Sequence, residues 1–194
     1  MKRAIIVHCW EGTPEYCWYP WLKAELEKDE YEVTVPAMPE TEEPKQALWV
    51  PYLSELVGEP DEELILVGHS VGCVTILRYL EGLSESARVG GVVFVAGFTD
   101  DLGFDELKNY FEDDIDWKKI RSHGTKFVAI HSDNDPFVPM GHADVFKEQL
   151  DAEIVVKEGK GHFSGPVDEE ESCVELPSVR DAVRRCVNRD EKKA

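Results

Sequence analysis

The stretch from Leu64 to Leu80 does most to limit what this chain can fold into. Leu64-Ile65-Leu66-Val67 is a short apolar block of the kind required by a strand buried on both faces. Cys73 to Leu80 places its apolar residues at the spacing of an amphipathic helix. Between them stands Gly68-His69-Ser70-Val71-Gly72, so strand must pass into helix through a sharp, strained turn. A side chain at either glycine would crowd the neighbouring strand and helix, and a serine on such a turn has the geometry of a nucleophile elbow. Gly-x-Ser-x-Gly alone is weak evidence: with glycine at about 7 % of residues, roughly one chain in fifteen of this length carries it by chance. The flanking strand and helix give the pattern its weight.

Apolar blocks alternating with helical patterns continue along the chain. Strands are expected at Ala4–Val7, Tyr31–Val35, Leu64–Val67, Val92–Ala96, Phe127–Ile130 and Glu153–Val156. Helices are expected near Pro20–Glu27, over Pro44–Leu56 despite Pro51, after the turn, near Ala143–Leu150 and after Pro177-Ser178. The last of these carries Val179, Val183, Cys186 and Val187 on one face, and Asn188–Ala194 is a charged tail expected to fray. This order predicts a compact α/β fold: a six-stranded, mainly parallel, doubly wound sheet with helices on both faces, in one domain over residues 1–194. Two stretches fit neither strand nor helix. Pro36–Glu40 is a proline-set loop, and residues 98–122 mix aromatics with acids over a longer span than a plain connection. The second reads as a small cap-like insert over a ligand crevice, or equally as a surface excursion packed on its own aromatics.

Composition narrows the function. The 194 residues are 42 % hydrophobic and 31 % charged, with 21 basic and 40 acidic residues and a net charge of −19. That balance argues against nucleic acid and anionic membranes as partners, and disfavours strongly anionic substrates. No apolar run reaches membrane-spanning length, and Met1-Lys2-Arg3 leads straight into a strand, which points to a cytoplasmic protein. Cys9, Cys17, Cys73, Cys173 and Cys186 form no C-x-x-C pair, as reduced thiols would not.

A serine hydroxyl needs a base to take its proton during attack, and histidine suits that task. Among His8, His69, His123, His131, His142 and His162, only His162 follows the final strand, in a loop able to reach Ser70. In α/β-hydrolase order the chain should read serine, acid, histidine. The acid then belongs after Phe127–Ile130, where Asp133 and Asp135 stand. Asp135 precedes Pro136, with Val138-Pro139 expected to open the next helix, so it should face the His162 loop; Asp133 is the alternative, suited to satisfying backbone donors. Ser70, Asp135 and His162 are therefore the candidate triad. Oxyanion donors are expected from the N–H groups of Val71 and, in the loop His8–Gly12, Trp10. Cys9 reads as a small strand-end residue. His8, Phe98, Tyr110, Phe111, Trp117 and Phe163 are candidate pocket residues, with core packing the competing role for about half of the aromatics. His69 is expected to pack or hydrogen-bond locally, and His123 and His142 to lie at the surface or cap. His131, Asp133 and Asp135 lack a second carboxylate set, so neither metal nor other cofactor is expected.

With these residues assembled, the chain resembles the small serine hydrolases named for retinoblastoma-binding protein nine, a branch of the α/β-hydrolase superfamily. The resemblance runs from about Ala4 to Val187 and includes Trp18–Leu26, Met38-Pro39, Trp49-Val50-Pro51, Asp101-Leu102-Gly103, Asp135–Pro139 and Gly161-His162-Phe163. It implies the same triad. The Leu-x-Cys-x-Glu motif behind the family's name is absent, since Glu171-Ser172-Cys173-Val174-Glu175 lacks the leucine, so retinoblastoma-type partners are not implied. The expected activity is hydrolysis of a small ester or amide through an acyl-enzyme. An interaction module with vestigial catalysis, or an acyltransferase or perhydrolase on the same triad, are the alternatives. Acyl-group size and oligomeric state are not legible.

Overall fold

The computed structural model describes residues 1–187, so the expected frayed tail at 188–194 lies outside the described residues. Six strands form one sheet: β1 (Arg3–Val7), β2 (Glu32–Thr34), β3 (Leu64–His69), β4 (Gly91–Val95), β5 (Phe127–Ser132) and β6 (Glu153–Lys157). Their order is β2-β1-β3-β4-β5-β6, and every pairing is parallel. The helices are α1 (Tyr19–Lys28), α2 (Gln46–Val57), α3 (Val71–Gly82), α4 (Trp117–His123), α5 (Gly141–Leu150) and α6 (Pro177–Val187). Pro51 is accommodated within α2. Helix α5 opens at Gly141, between the opening expected at Val138-Pro139 and the helical pattern read from Ala143, because Val138-Pro139 continue the loop after β5.

The continuous apolar blocks follow from burial on both faces. Ile5, Val7, Leu64, Leu66, Val92 and Phe94 join one core with α2, α3, α4 and α5, whereas Ala4, Ile6, Ile65, Val67, Val93 and Val95 join another with α1 and α6. Alternate residues of each strand thus enter opposite cores, and each must be apolar. The chain leaves β1 toward β2 and returns to β3 on the other side. The carboxyl ends of β1 and β3 therefore flank the switch point where open α/β sheets place ligands. None of the helices among the described residues is long and apolar enough to cross a membrane.

Residues 98–122 hold a 3-10 helix, Asp105–Tyr110, and the first turns of α4. Arg78, on α3, fastens this segment. Its guanidinium donates to the carbonyl oxygens of Tyr110 at 2.6 and 2.8 Å and of Asp113 at 2.6 Å, and pairs with Glu81 at 2.8 Å. The charge is 7 % exposed yet well supplied with acceptors, which offsets its desolvation.

His123 and His142 are buried, contrary to the surface or capping role expected of them. His123 Nδ1 bonds the Ala87 carbonyl, and His142 Nδ1 accepts from the Thr99 N–H. Burial above all pushes His131 down to about 4 and His69 to about 3, and it lowers His8 and His142 as well. An unfolded histidine takes its proton near 6.5. The unfolded state therefore binds more protons below that pH, and stability present above 6.5 is lost as pH falls toward the folded values. The urea midpoint is expected to drop between pH 7 and pH 5, the unfolding free energy falling by about 2 kcal/mol for each of His69 and His131. Self-repulsion from the acidic surface eases over the same range but is screened at about 0.15 M salt. A midpoint that holds or rises would contradict this.

Candidate active site

Ser70 sits between β3 and α3 with φ 55° and ψ −120°, a conformation that costs a non-glycine residue about 1–3 kcal/mol. Backbone bonds hold it there: Ser70 N–H to the Val95 carbonyl at 2.9 Å, and Cys73 N–H to the Ser70 carbonyl at 2.8 Å. The flanking glycines allow the close packing. A Cβ on Gly72 would lie 2.2 Å from the Val7 carbonyl oxygen, and one on Gly68 would lie 2.7 Å from the Cys73 nitrogen. Val71 opens α3, so its N–H is among those left without an intrahelical partner at the positive end of the helix dipole.

The loops after β5 and β6 are laced together. Asp133 Oδ1 accepts the Gly159 N–H, Ser132 Oγ that of Lys160 and Asn134 Oδ1 that of Gly161, at 2.8–2.9 Å. Asp133 is thereby occupied with backbone. Asp135 instead meets the His162 ring, with Nδ1 2.9 Å from Oδ2 and 3.1 Å from Oδ1. Its Oδ1 also accepts the N–H groups of Phe137 and Val138, at 2.9 and 3.0 Å. Burial pushes this carboxyl upward, but the His162 bond and charge and the two backbone donors outweigh it, so it lies below the usual range. A carboxylate acceptor fixes the proton on Nδ1 and leaves Nε2 free to accept.

The loop after β1 presents its peptide in one sense. The Cys9 carbonyl accepts from His8 Nδ1 at 2.7 Å and from the Gly12 N–H at 3.1 Å, while His8 Nε2 accepts the Met38 N–H. The Trp10 N–H belongs to the same planar trans peptide and so points the opposite way. Cys9 is 2 % exposed, and burial pushes its thiol up to about 12, which leaves it inert as a nucleophile.

These loops surround a cavity of about 200 Å³ lined by Ser70, Val71, His162, Cys9 and Trp10, with Phe98, Leu102, Phe104, Leu107, Phe137 and Val167 as apolar walls and Glu11 and Asp168 as acids. Of the expected pocket side chains, only Phe98 lines it. Tyr110 bonds Thr75, Phe111 packs behind Phe98, and Trp117 packs on Phe146. Phe163 joins the core under α1 and α6, and His8 stacks edge-on to Trp49. Leu102 and Phe104 lie in irregular segments and Leu107 and Val167 in short 3-10 turns, where no sustained periodicity tells which side chains face inward.

A family model described as "Serine hydrolase" matches residues 4–183. The chain belongs to the serine hydrolase family. YdeN from Bacillus subtilis is 31 % identical over 183 residues, covering 94 % of each protein, and its crystal structure superposes with a TM-score of 0.89 over 96 % of this chain and 98 % of that one. Serine hydrolase RBBP9 from Rattus norvegicus is 28 % identical over 149 residues, 75 % of this chain and 77 % of the relative, in line with the resemblance read from the sequence. Est1E from Butyrivibrio proteoclasticus, solved with ferulic acid bound, shares the fold at a TM-score of 0.74 and 14 % identity, over 95 % of this chain and 87 % of its own. This serine hydrolase family member is thus an enzyme with hydrolase activity on an α/β-hydrolase fold.

Proposed function

We propose that the enzyme cleaves small esters or amides through an acyl-enzyme on Ser70, with His162 as general base and Asp135 as its partner. The observation that carries this reading is the bond from His162 Nδ1 to Asp135, made beside a cavity that Ser70 and His162 share. In the first half-reaction Ser70 Oγ attacks the substrate carbonyl while His162 Nε2 takes its proton. The N–H groups of Val71 and Trp10 then stabilise the oxyanion, worth about 3–4 kcal/mol per donor. His162 returns the proton to the departing alcohol or amine. Water repeats the sequence on the acyl-serine and frees the acid. Asp135 holds the tautomer and stabilises the imidazolium. No cofactor enters any step.

The cavity supports a small apolar acyl group, and its acids Glu11 and Asp168, with no lysine or arginine in the lining, favour neutral or cationic substrates over anionic ones. The test is labelling with a fluorophosphonate followed by peptide mass mapping, run beside neutral and carboxylate-bearing esters of equal length. The label should sit on Ser70, and the neutral ester should be preferred by about tenfold or more in kcat/KM. An unlabelled wild type, or label on another residue, would sink the proposal, while equal use of both esters would sink only the charge preference.

A further inference from the structure

Tyr19 and His69 are fully buried polar side chains behind the cavity, both at 0 % exposure, and neither lines it. Tyr19 is the first residue of α1 and His69 the last of β3, directly before Ser70. The Cys9 N–H lies 3.0 Å from the Tyr19 hydroxyl oxygen, that oxygen 2.7 Å from His69 Nδ1, and His69 Nε2 2.8 Å from the His162 carbonyl oxygen. The ends of this row fix the protons within it. A carbonyl can only accept, so His69 carries its hydrogen on Nε2 and donates. In the neutral ring Nδ1 must then accept, so the Tyr19 O–H donates to it. An amide N–H can only donate, so the Tyr19 oxygen takes the Cys9 hydrogen.

The row joins two loops that share no strand. At one end is the His8–Cys9 peptide, immediately ahead of the peptide that carries the Trp10 N–H, and at the other the backbone of His162. The His162 end needs holding, since Phe163 follows with φ 58°, a left-handed conformation that a bulky residue adopts at a cost. Trp18, adjacent to Tyr19, adds a parallel hold, its Nε1–H donating to the Phe163 carbonyl at 3.1 Å.

We propose that Tyr19 and His69 are positioning residues whose hydrogen-bonded row sets the spacing between the oxyanion loop and the His162 loop. The inference rests on the function proposed above. Tetrahedral intermediates need the Trp10 N–H and His162 Nε2 placed together around one carbon, and a misplacement of about 1 Å costs up to about a hundredfold in rate. The row acts on the transition state rather than on substrate capture, because neither side chain touches the cavity.

Tyr19→Phe deletes one oxygen and keeps the ring. His69→Leu removes both polar ends, and His69→Gln restores an amide N–H toward the His162 carbonyl. Steady-state kinetics on one neutral ester, normalised to active sites counted by fluorophosphonate, should show kcat lowered about ten- to a hundredfold in Tyr19→Phe and His69→Leu. KM should stay within about twofold, His69→Gln should recover most of its loss, and the double variant should be no slower than His69→Leu, since one broken row cannot be broken twice. A general loss of packing would instead reduce the number of titrated sites and leave kcat per site unchanged. The inference is overturned if Tyr19→Phe keeps kcat per site within about twofold of wild type, which settles the matter even if His69→Leu does not fold. It is overturned too if His69→Gln is as slow as His69→Leu. A wild type that takes no label overturns the proposed function as well, whereas a labelled wild type with unaffected variants overturns this inference alone.

Discussion

Ser70→Ala should lower kcat/KM on a chromogenic ester by on the order of 10⁵-fold while leaving the protein folded. The serine's structural bonds are made by its backbone, to Val95 and from Cys73, and alanine preserves both. Its unusual φ is imposed by the packing of α3 onto β1 at Gly72, and alanine accepts that conformation no worse than serine. Losing the hydroxyl removes the proposed attacking atom and leaves those backbone bonds in place. Because nucleophile and base act in one step, His162→Ala should cost about as much, and the double variant little more than either single change. Initial rates measured beside thermal unfolding check this. Residual activity within about a hundredfold of wild type, with the fold intact, would assign attack to a group other than Ser70.

Asp135→Asn should reduce kcat by about 10³- to 10⁴-fold with little loss of stability. The asparagine carbonyl can still accept from Phe137 and Val138, so the loop after β5 keeps its turn. Its amide, however, presents hydrogens to His162 Nδ1. The ring then carries its proton on Nε2, the nitrogen that must take the proton of Ser70. Asp133→Asn makes the comparison pointed, because its carbonyl still accepts the Gly159 N–H and it has no bond to the ring. That variant should retain activity within a few-fold of wild type. If the two variants lose activity equally, the distinction between the carboxylates drawn from their places in the loop after β5 is wrong.

Strand order was readable because a parallel sheet covered on both faces leaves its strands no choice but continuous apolar runs. The same order brings the loops bearing Ser70, Asp135 and His162 to one edge, where the structure places them together. Segments without such a constraint were opaque. Phe98 and Phe111 are both aromatic and both lie beyond β4, yet one walls the cavity and the other packs behind it. His8 and His69 sit at strand ends where either a pocket or a core role is chemically sensible. Only the positions of the Met38 N–H, the Tyr19 hydroxyl and the His162 carbonyl show that both are committed to holding backbone. Burial of His123 and His142 was equally hidden, since each depends on a carbonyl or hydroxyl contributed by a distant segment.

The fastening made by Arg78 divides labour within residues 98–122. It grips Tyr110 and Asp113, in the middle of the segment, and leaves the wall residues between Phe98 and Leu107 outside its grasp. Substitutions among those wall positions change the space offered to an acyl group without loosening the segment from the helix that begins beside Ser70. The space offered to an acyl group can therefore be altered through one short stretch of chain without touching the backbone bonds that hold Ser70.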